Sequence, residues 1–285
     1  MQLRRSALYI PGNNARALEK AATLAADVLI LDLEDAVAPI DKSVAREGVL
    51  EALNRHDYGV RELVVRINDV RSDIGQADLH ALAAHKKIAA LLLPKVESAD
   101  TLWHAQHLMH EQGSKAALWA MIETPRGVMQ IDAIAAANGN LAVLVMGTND
   151  LAKAMRVPQT AAREGFQYAL SRCVLAARCH GLDILDGVHI HLNDDQGLRH
   201  ACEQGLVLGF DGKTLIHPKQ LEAANQVFAP SAAAVDAAQR MVSAWDAGGG
   251  QQGVMVIDGR LVEALHVEDA RRTVALAALI AQRGA

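Results

Sequence analysis

Two acidic residues follow apolar runs of the kind that form buried strands. Residues 117–122 are apolar and lead to Glu123, and residues 141–146 are apolar and lead through a Gly-Thr-Asn turn to Asp150. Arg66 lies near the end of another run that is rich in Val and Leu. Continuous apolar runs of this length are typical of parallel strands covered on both faces. Their ends are therefore the first place to look for chemistry.

The two acids are candidate ligands for a metal ion. Neighbouring strands lie ~4.8 Å apart, so Glu123 and Asp150 could converge on one cation. Carboxylates without a nearby Cys or His favour a hard ion, and Mg²⁺ fits best, with Mn²⁺ as its usual substitute. Arg66 could bind a substrate carboxylate with its planar fork, so that metal and arginine together stabilise an enolate. For either acid alone, the structural alternative is a helix N-cap or a surface turn.

Eight such runs alternate with Ala-rich stretches of helical spacing. They lie at residues 6–12, 27–35, 62–68, 89–95, 117–123, 141–147, 182–188 and 212–218. This alternation predicts an α/β fold, a (β/α)8 TIM barrel over residues 1–225, with a doubly wound open sheet as the structural alternative. In a barrel of this type, the carboxyl ends of the strands build the active site.

The pattern changes in the last part of the chain. We predict a C-terminal extension over residues 226–285 that packs on a neighbouring subunit. Its predicted elements are a helix over 231–245, a Gly-rich loop over 246–252, a hairpin over 254–263 that turns at Asp258-Gly259, and a helix over 267–281.

Composition limits the classes of partner. The chain has 285 residues, 51% of them hydrophobic, and a net charge of −5. This balance argues against nucleic acid or an anionic membrane as the main partner. No apolar run approaches the roughly 20 residues that span a bilayer. Cys173, Cys179 and Cys202 lack metal-type spacing and indicate reduced thiols of a cytoplasmic protein.

Seven segments resemble, in order, motifs of one known family. They are RRSALYIPGNN (4–14), DLEDAVAPIDKSVAR (32–46), VVRIN (64–68), LLPKVES (92–98), IETPRGV (122–128), GTNDLA (147–152) and GFDGKTLIHPKQ (209–220). The chain is similar to the citrate lyase β-subunit-like group of the HpcH/HpaI aldolase family, in the phosphoenolpyruvate/pyruvate barrel superfamily. The resemblance implies a homotrimeric, Mg²⁺-dependent carbon-carbon lyase. Its substrate would be a 3-hydroxyacyl-CoA of the citramalyl- or malyl-CoA type, cleaved to acetyl-CoA and a 2-oxo acid.

The resemblance also assigns roles to residues. It implies metal ligation by Glu123 and Asp150 and substrate-carboxylate binding by Arg66, with Glu123 beside the substrate. Further contacts implied around the substrate and the metal-bound waters are the backbone of Gly147, Thr148 and Asn149 and the side chains of Glu34 and Asp35.

One departure from the family pattern concerns a catalytic acid. Relatives carry a Gly-Lys-Met-Ile/Val-Asp segment, often donated by a neighbouring subunit, whose Asp does acid/base work near the thioester. Residues 259–263 read Gly-Arg-Leu-Val-Glu here. Glu263 is thus expected either to act as the catalytic acid/base from a longer side chain or to be a surface residue.

Other groups have two readings each. His189 and His191 are candidates for a second metal or for lining a pocket. The turn at 11–14, with Arg16 and Lys20, is a candidate site for the CoA diphosphate, or an ordinary turn before an exposed helix. Lys95 and His217 are expected to have electrostatic or structural roles rather than Schiff-base or direct catalytic ones.

Three functional alternatives remain at the level of sequence. The protein could be the β subunit of a citrate lyase that acts on an acyl-carrier-protein thioester. It could be an aldolase for free 2-oxo acids, which would leave the C-terminal hairpin without a clear task. It could also be a non-catalytic barrel that binds acyl-CoA.

Overall fold

The computed structural model describes residues 1–137, 139–248, 253–257 and 259–284. The chain divides into two compact units, residues 4–225 and residues 226–285 together with 1–3. None of the helices in these described ranges is long and apolar enough to cross a membrane.

In the described part of residues 4–225, eight parallel strands form a closed barrel in the order β1 to β8. The strands are β1 Ser6–Pro11, β2 Val28–Asp32, β3 Glu62–Arg66, β4 Ala90–Leu93, β5 Ala117–Ile122, β6 Leu141–Met146, β7 Asp183–Asp186 and β8 Gly212–Leu215. The predicted (β/α)8 barrel is therefore confirmed, and the open-sheet alternative is wrong.

Helices follow the strands along the chain. They are α1 Ala15–Ala21, α2 Lys42–Arg55, α3 Asp73–Leu82, α4 Ala99–Glu111, α5 Pro125–Met129, α6 Ile131–Ala135, α7 Thr148–Met155, α8 Gln167–Cys179, α9 Asp195–Leu208 and α10 Leu221–Val227. Short 3₁₀ turns lie at Pro39–Asp41, Glu164–Phe166 and Pro218–Gln220.

The barrel interior is a packed core. Apolar side chains from the strands fill it, and Trp119 of β5 is the largest fully buried one. The strands β2, β3 and β4 are buried at every residue, which explains why they read as unbroken apolar runs rather than as alternating ones.

Charged residues close the amino end of the barrel. Arg4 donates two hydrogen bonds of 2.7 Å to Glu62 at the start of β3 and a further one to Asp183 at the start of β7. Its guanidinium also lies 5.2 Å from the centre of the Trp119 ring. These contacts pair the charged side chains of Arg4, Glu62 and Asp183 at this end, whereas barrels of this type carry their active sites at the carboxyl end.

The C-terminal unit contains helix α11 Ala232–Ala247, strands β9 Val254–Ile257 and β10 Arg260–Glu263, and helix α12 Ala264–Gly284. Ser231 caps α11 by accepting a hydrogen bond of 3.2 Å from the backbone of Ala234. The strands pair antiparallel, where the sequence predicts a hairpin. Trp245, Val262 and Val267 form a small core.

Helix boundaries in this unit differ from the predictions, and α12 spans Ala264–Gly284 rather than 267–281. Helix α11 continues to Ala247, so the predicted Gly-rich loop begins later than residue 246. Asp246 is held by an ion pair of 2.6 Å with Arg271 of α12, which stabilises the last turn of the helix. Residues 249–252 and Asp258 of the predicted loop and turn lie outside the described residues.

The approach of β8 to the chain before β1 generates the first prediction. A Cβ added at Gly212 would lie 1.9 Å from the backbone oxygen of Arg4, which cannot move without disturbing the sheet. Gly212→Ala should therefore lower the free energy of unfolding by about 2 kcal/mol or more. Urea denaturation followed by circular dichroism measures this. Gly253→Ala, where the added Cβ meets open space, is the control. Equal midpoints for the two variants would contradict the prediction.

Candidate active site

A cavity of about 320 Å³ opens at the carboxyl ends of the strands. It brings together the predicted residues Arg66, Glu123 and Asp150 with the turn at 147–149. Asp35 lines the same cavity. Glu34 lies beside it, in contact with Arg66.

Arg66 is held in place by Asp32. The guanidinium donates hydrogen bonds of 2.7 Å and 2.6 Å to the two carboxylate oxygens of Asp32 and lies 4.8 Å from the centre of the Tyr9 ring. Asp32 ends β2 and Arg66 ends β3, and the strand register places them side by side. Burial acts to lower the pKa of Arg66, but the hydrogen bonds and charge of Asp32 raise it further, so Arg66 is permanently charged.

Sequence reasoning missed Asp32. One feature of the sequence could have indicated it: Asp32 is the last residue of its strand, before a Leu-Glu-Asp turn, just as Arg66 is the last residue of the next strand. Asp32 also accepts backbone hydrogen bonds from Glu34, at 2.9 Å, and from Ala36, at 3.2 Å. It therefore shapes the turn that carries the predicted acids.

Glu34 and Asp35 both face Arg66. Arg66 Nη1 lies 3.2 Å from Glu34 and 3.3 Å from Asp35. Lys95 Nζ lies 2.9 Å from the other oxygen of Glu34. Burial raises the pKa of Glu34, and the charge of Arg66 and the hydrogen bond from Lys95 oppose this. The Asp35 side chain is 55% exposed, so its contact with Arg66 is the one most open to exchange with a ligand.

Glu123 stands directly after β5 and is only 2% exposed. Its Oε1 accepts a hydrogen bond of 2.7 Å from the backbone of Lys95, which presents its amide with a left-handed φ of 50°. Gly147 passes so close that an added Cβ would lie 2.3 Å from the Cβ of Glu123. Burial raises the pKa of Glu123 to about 8, and the negative charges of Asp150 and Glu34 add to this shift.

Asp150 lies in the first turn of α7, next to Glu123. The backbone of Gly147 donates a hydrogen bond of 3.0 Å to Ile122, which ties the end of β6 to the end of β5. The turn then places Thr148, Asn149 and Asp150 on the cavity wall. The repulsion between Glu123 and Asp150 shows that the two carboxylates share one region of space.

These two carboxylates fit a magnesium ion. Both face the cavity, and a cation would offset their mutual repulsion and the burial of Glu123. Over the described ranges, no group of three or more His, Cys, Asp or Glu side chains is arranged to hold a metal. Mg²⁺ is commonly bound through one or two carboxylates while waters and substrate oxygens supply its other ligands. The donor set here is of that kind.

Tyr9 is a second residue that sequence reasoning did not single out. It lines the cavity under Arg66, and its buried hydroxyl has no hydrogen-bond partner within the described part of the chain. A buried hydroxyl normally finds a partner, so this one is available to a ligand in the cavity. Its signal in the sequence was weak, because an aromatic residue in a strand usually packs in the core.

Several predicted residues lie elsewhere. His189 and His191 line a separate cavity next to the first. Arg16 and Lys20 are exposed on α1, so the CoA role assigned to them stays a prediction. His217 accepts a hydrogen bond of 3.1 Å from the backbone of Lys219 and caps a 3₁₀ turn.

Glu263 belongs to the C-terminal unit. It ends β10, and its backbone donates a hydrogen bond of 3.0 Å to His266. A catalytic role for Glu263 therefore stays a prediction.

Comparison with known proteins identifies the family. The model of the HpcH/HpaI aldolase/citrate lyase family matches residues 5–218. A (3S)-malyl-CoA thioesterase of Cereibacter sphaeroides is 49% identical over 97% of this chain and 95% of its own. An L-malyl-CoA/beta-methylmalyl-CoA lyase of the same species is 32% identical over 97% and 95%.

The fold has close counterparts among solved structures. The crystal structure of CitE from Mycobacterium tuberculosis, in complex with magnesium, acetoacetate and coenzyme A, superposes with a TM-score of 0.76 at 29% identity. The match covers 96% of this chain and 97% of that one. The protein is thus a TIM barrel whose carboxyl end carries an arginine and two acids. It belongs to the HpcH/HpaI aldolase/citrate lyase family, as its motifs predict.

The Asp32–Arg66 pair generates the second prediction. Asp32 is 1% exposed, so Asp32→Asn removes the charge of the carboxylate that accepts two hydrogen bonds from a buried guanidinium, and it should lower the free energy of unfolding by about 3 kcal/mol. Asp35→Asn, in the exposed partner of the same arginine, should change it by no more than about 0.5 kcal/mol. Chemical denaturation of both variants measures this difference. A change of similar size in both would contradict the assignment of Asp32 as the residue that holds Arg66.

Proposed function

We propose that the protein is a Mg²⁺-dependent enzyme that hydrolyses the thioester of a malyl-CoA-type substrate, giving malate and free CoA. The observation that carries the proposal is that Arg66, Glu123 and Asp150 line one cavity at the carboxyl end of the barrel. This set suits a substrate with a carboxylate and a neighbouring oxygen. The thioesterase that is 49% identical over nearly the whole chain supports hydrolysis as the reaction.

In this proposal Arg66 binds the substrate carboxylate. Asp32 occupies Nε and one hydrogen of Nη2, so the guanidinium is fixed but not saturated. The substrate carboxylate replaces the exposed Asp35 on Nη1, where the distance is already long at 3.3 Å. Tyr9, whose ring lies against the Arg66 guanidinium, offers its hydroxyl to the same substrate. Lys95 keeps Glu34 charge-paired and holds Glu123 by its backbone amide, which leaves the second oxygen of Glu123 free for the metal.

Glu123 and Asp150 hold the metal ion. When bound, Mg²⁺ supplies positive charge that polarises substrate oxygens and lowers the pKa of water. Mn²⁺ is expected to substitute for it. The CoA part of the substrate would extend towards the turn at 11–14 and towards Arg16 and Lys20, where helix α1 begins.

The C-terminal unit would complete the site from a neighbouring subunit of a trimer. Glu263 lies on the same face of the hairpin as Val254, Val256 and Leu261, because Leu261 pairs with Val256 and Glu263 pairs with Val254. These three apolar side chains are 50–71% exposed. An apolar face of this kind favours packing against another surface. The homotrimer, the acid/base role of Glu263 and a cytoplasmic location all belong to this proposal.

Carbon-carbon cleavage is the second candidate. The clamp of metal and arginine suits stabilisation of an enolate, and the malyl-CoA lyase that is 32% identical supports this reaction. Cleavage of malyl-CoA would give acetyl-CoA and glyoxylate, and cleavage of citramalyl-CoA would give acetyl-CoA and pyruvate. The replacement of the family's Asp by Glu263 favours hydrolysis, because proton transfer to a carbanion depends closely on the position of the acid.

The third prediction separates the two reactions. Incubation with (3S)-malyl-CoA and Mg²⁺ should release CoA and malate in equal amounts, and EDTA should abolish the release, because the reaction needs the metal. Mass spectrometry of both products measures this, with racemic citramalyl-CoA as a parallel substrate. Formation of acetyl-CoA with an equal amount of glyoxylate or pyruvate would contradict hydrolysis and indicate carbon-carbon cleavage. Turnover of carrier-protein thioesters but not of CoA thioesters would indicate a citrate lyase subunit. Inactivity on both kinds of thioester would indicate an acyl-CoA-binding protein.

The fourth prediction tests the metal site directly. Glu123→Gln and Asp150→Asn each remove one of two charged ligands, so Mg²⁺ affinity should fall at least roughly tenfold in either variant. Isothermal titration calorimetry with MgCl₂ measures this without substrate. Asp132→Asn, in a carboxylate that is 72% exposed, is the control and should bind Mg²⁺ as the wild type does. Wild-type affinity in Glu123→Gln would exclude this metal site.

A further inference from the structure

A second cavity of about 270 Å³ lies beside the active site and has no role in the proposed reaction. It shares Thr148 and Val188 with the first cavity. Its walls come from the segment before α8, the end of β7 and the first turns of α9. At ~30 Å³ per water, its volume equals that of roughly nine waters, enough for a small organic molecule.

Two cationic side chains that line this cavity, Arg163 and Lys213, share one carboxylate, that of Asp186. Asp186 accepts hydrogen bonds of 2.8 Å from Lys213 and of 2.8 Å from Arg163. Asp186 and Lys213 are fully buried, and the Arg163 side chain is 11% exposed. One carboxylate thus faces two cations, which leaves one positive charge in excess within this buried cluster; the second carboxylate at the cavity, Asp194, is half exposed. An uncompensated buried charge is costly, so this wall favours an anion.

Two nitrogen atoms at this cavity are without partners. Nη2 of Arg163 and Nε2 of His189 are buried and have no hydrogen-bond partner within the described residues. The other nitrogens of Arg163 are engaged, Nη1 with Asp186 and Nε with Gln204. Unsatisfied buried polar atoms are rare in native proteins and commonly mark a missing ligand. Both residues line the cavity, so one bound molecule could satisfy them.

The surroundings of His189 show which ligand fits. Burial and the charge of Lys213 lower the pKa of His189, and the charge and backbone hydrogen bond of Asp194 oppose this shift. Asp194 also lines the cavity, with Oδ2 3.7 Å from His189 Nε2, beyond hydrogen-bond distance. Asp194 is half exposed and caps α9 by accepting a hydrogen bond of 2.9 Å from the backbone of Gly197.

We propose that this second cavity binds a small monocarboxylate, whose oxygens accept hydrogen bonds from Arg163 Nη2 and His189 Nε2. A single negative charge balances the one positive charge in excess at the Lys213–Asp186–Arg163 cluster. A doubly charged phosphate would overcompensate it and would face the carboxylate of Asp194. The ligand would lie against Thr148, two residues before Asp150, since Thr148 forms part of both walls. The inference does not rest on the proposed reaction.

The test uses the whole protein treated with EDTA, with acetate and pyruvate as probes. Ligand-observed NMR measures their dissociation constants in the wild type and in variants. His189→Ala removes a donor, and Ala201→Leu fills the cavity from α9 while keeping all charges. Each should weaken binding roughly tenfold. His200→Ala, on the exposed face of α9, is the matched control and should not change it.

Glu123→Gln separates this cavity from the active site. Binding of acetate in EDTA should survive this substitution, because Glu123 does not line the second cavity. Absence of binding in the wild type would overturn the proposal. Unchanged affinity in both His189→Ala and Ala201→Leu, loss of binding in Glu123→Gln, or tighter binding of inorganic phosphate than of acetate would overturn it as well.

Discussion

The buried ion pair between Asp32 and Arg66 is the interaction on which the active site depends. Taking a guanidinium and a carboxylate out of water is costly, and only good geometry with extra hydrogen bonds offsets it. The parallel register of β2 and β3 supplies that geometry by placing the two residues side by side. Asp32 then accepts the backbone amides of Glu34 and Ala36, so the pair also orders the turn behind it.

From this pair, contacts continue around the rim of the barrel. Arg66 faces Glu34, Glu34 accepts a hydrogen bond from the Lys95 side chain, and the Lys95 backbone donates to Glu123. Glu123 in turn packs against Gly147, which begins the turn to Asp150. Alternating charges along this path keep Arg66 and Glu34 balanced. The charges of Asp150 and Glu34 help to raise the pKa of Glu123, and a cation bound between Glu123 and Asp150, as proposed, would offset that repulsion.

Much of the site could be predicted from sequence because strand ends in a barrel share one edge. Arg66, Glu123 and Asp150 each follow an apolar run, so their meeting follows from the fold class alone. Asp32 was missed because its role depends on the register between two strands, which periodicity does not determine. Tyr9 was missed because a strand aromatic reads as core.

Other features depend on contacts that are distant in sequence. Residues 163, 186 and 213 lie far apart in the chain, and only closure of β7 against β8 brings Lys213 to Asp186. The left-handed backbone of Lys95 is likewise imposed by its surroundings, since nothing in a Pro-Lys-Val stretch requires it. The extra helical residues before 248 arise from a contact between two helices.

The charged cluster around Arg4 lies at the opposite end of the barrel from Arg66, Glu123 and Asp150. Arg4, Glu62 and Asp183 join the beginnings of β3 and β7, whereas Arg66 and Glu123 lie where strands end. The Arg4 cluster and the candidate site therefore lie at separate ends of the same strands. Related proteins could change their reaction through substitutions at the carboxyl end of the barrel while the amino end keeps the fold. Substitutions that stabilise the amino end of the barrel would leave the side chains of the candidate site in place.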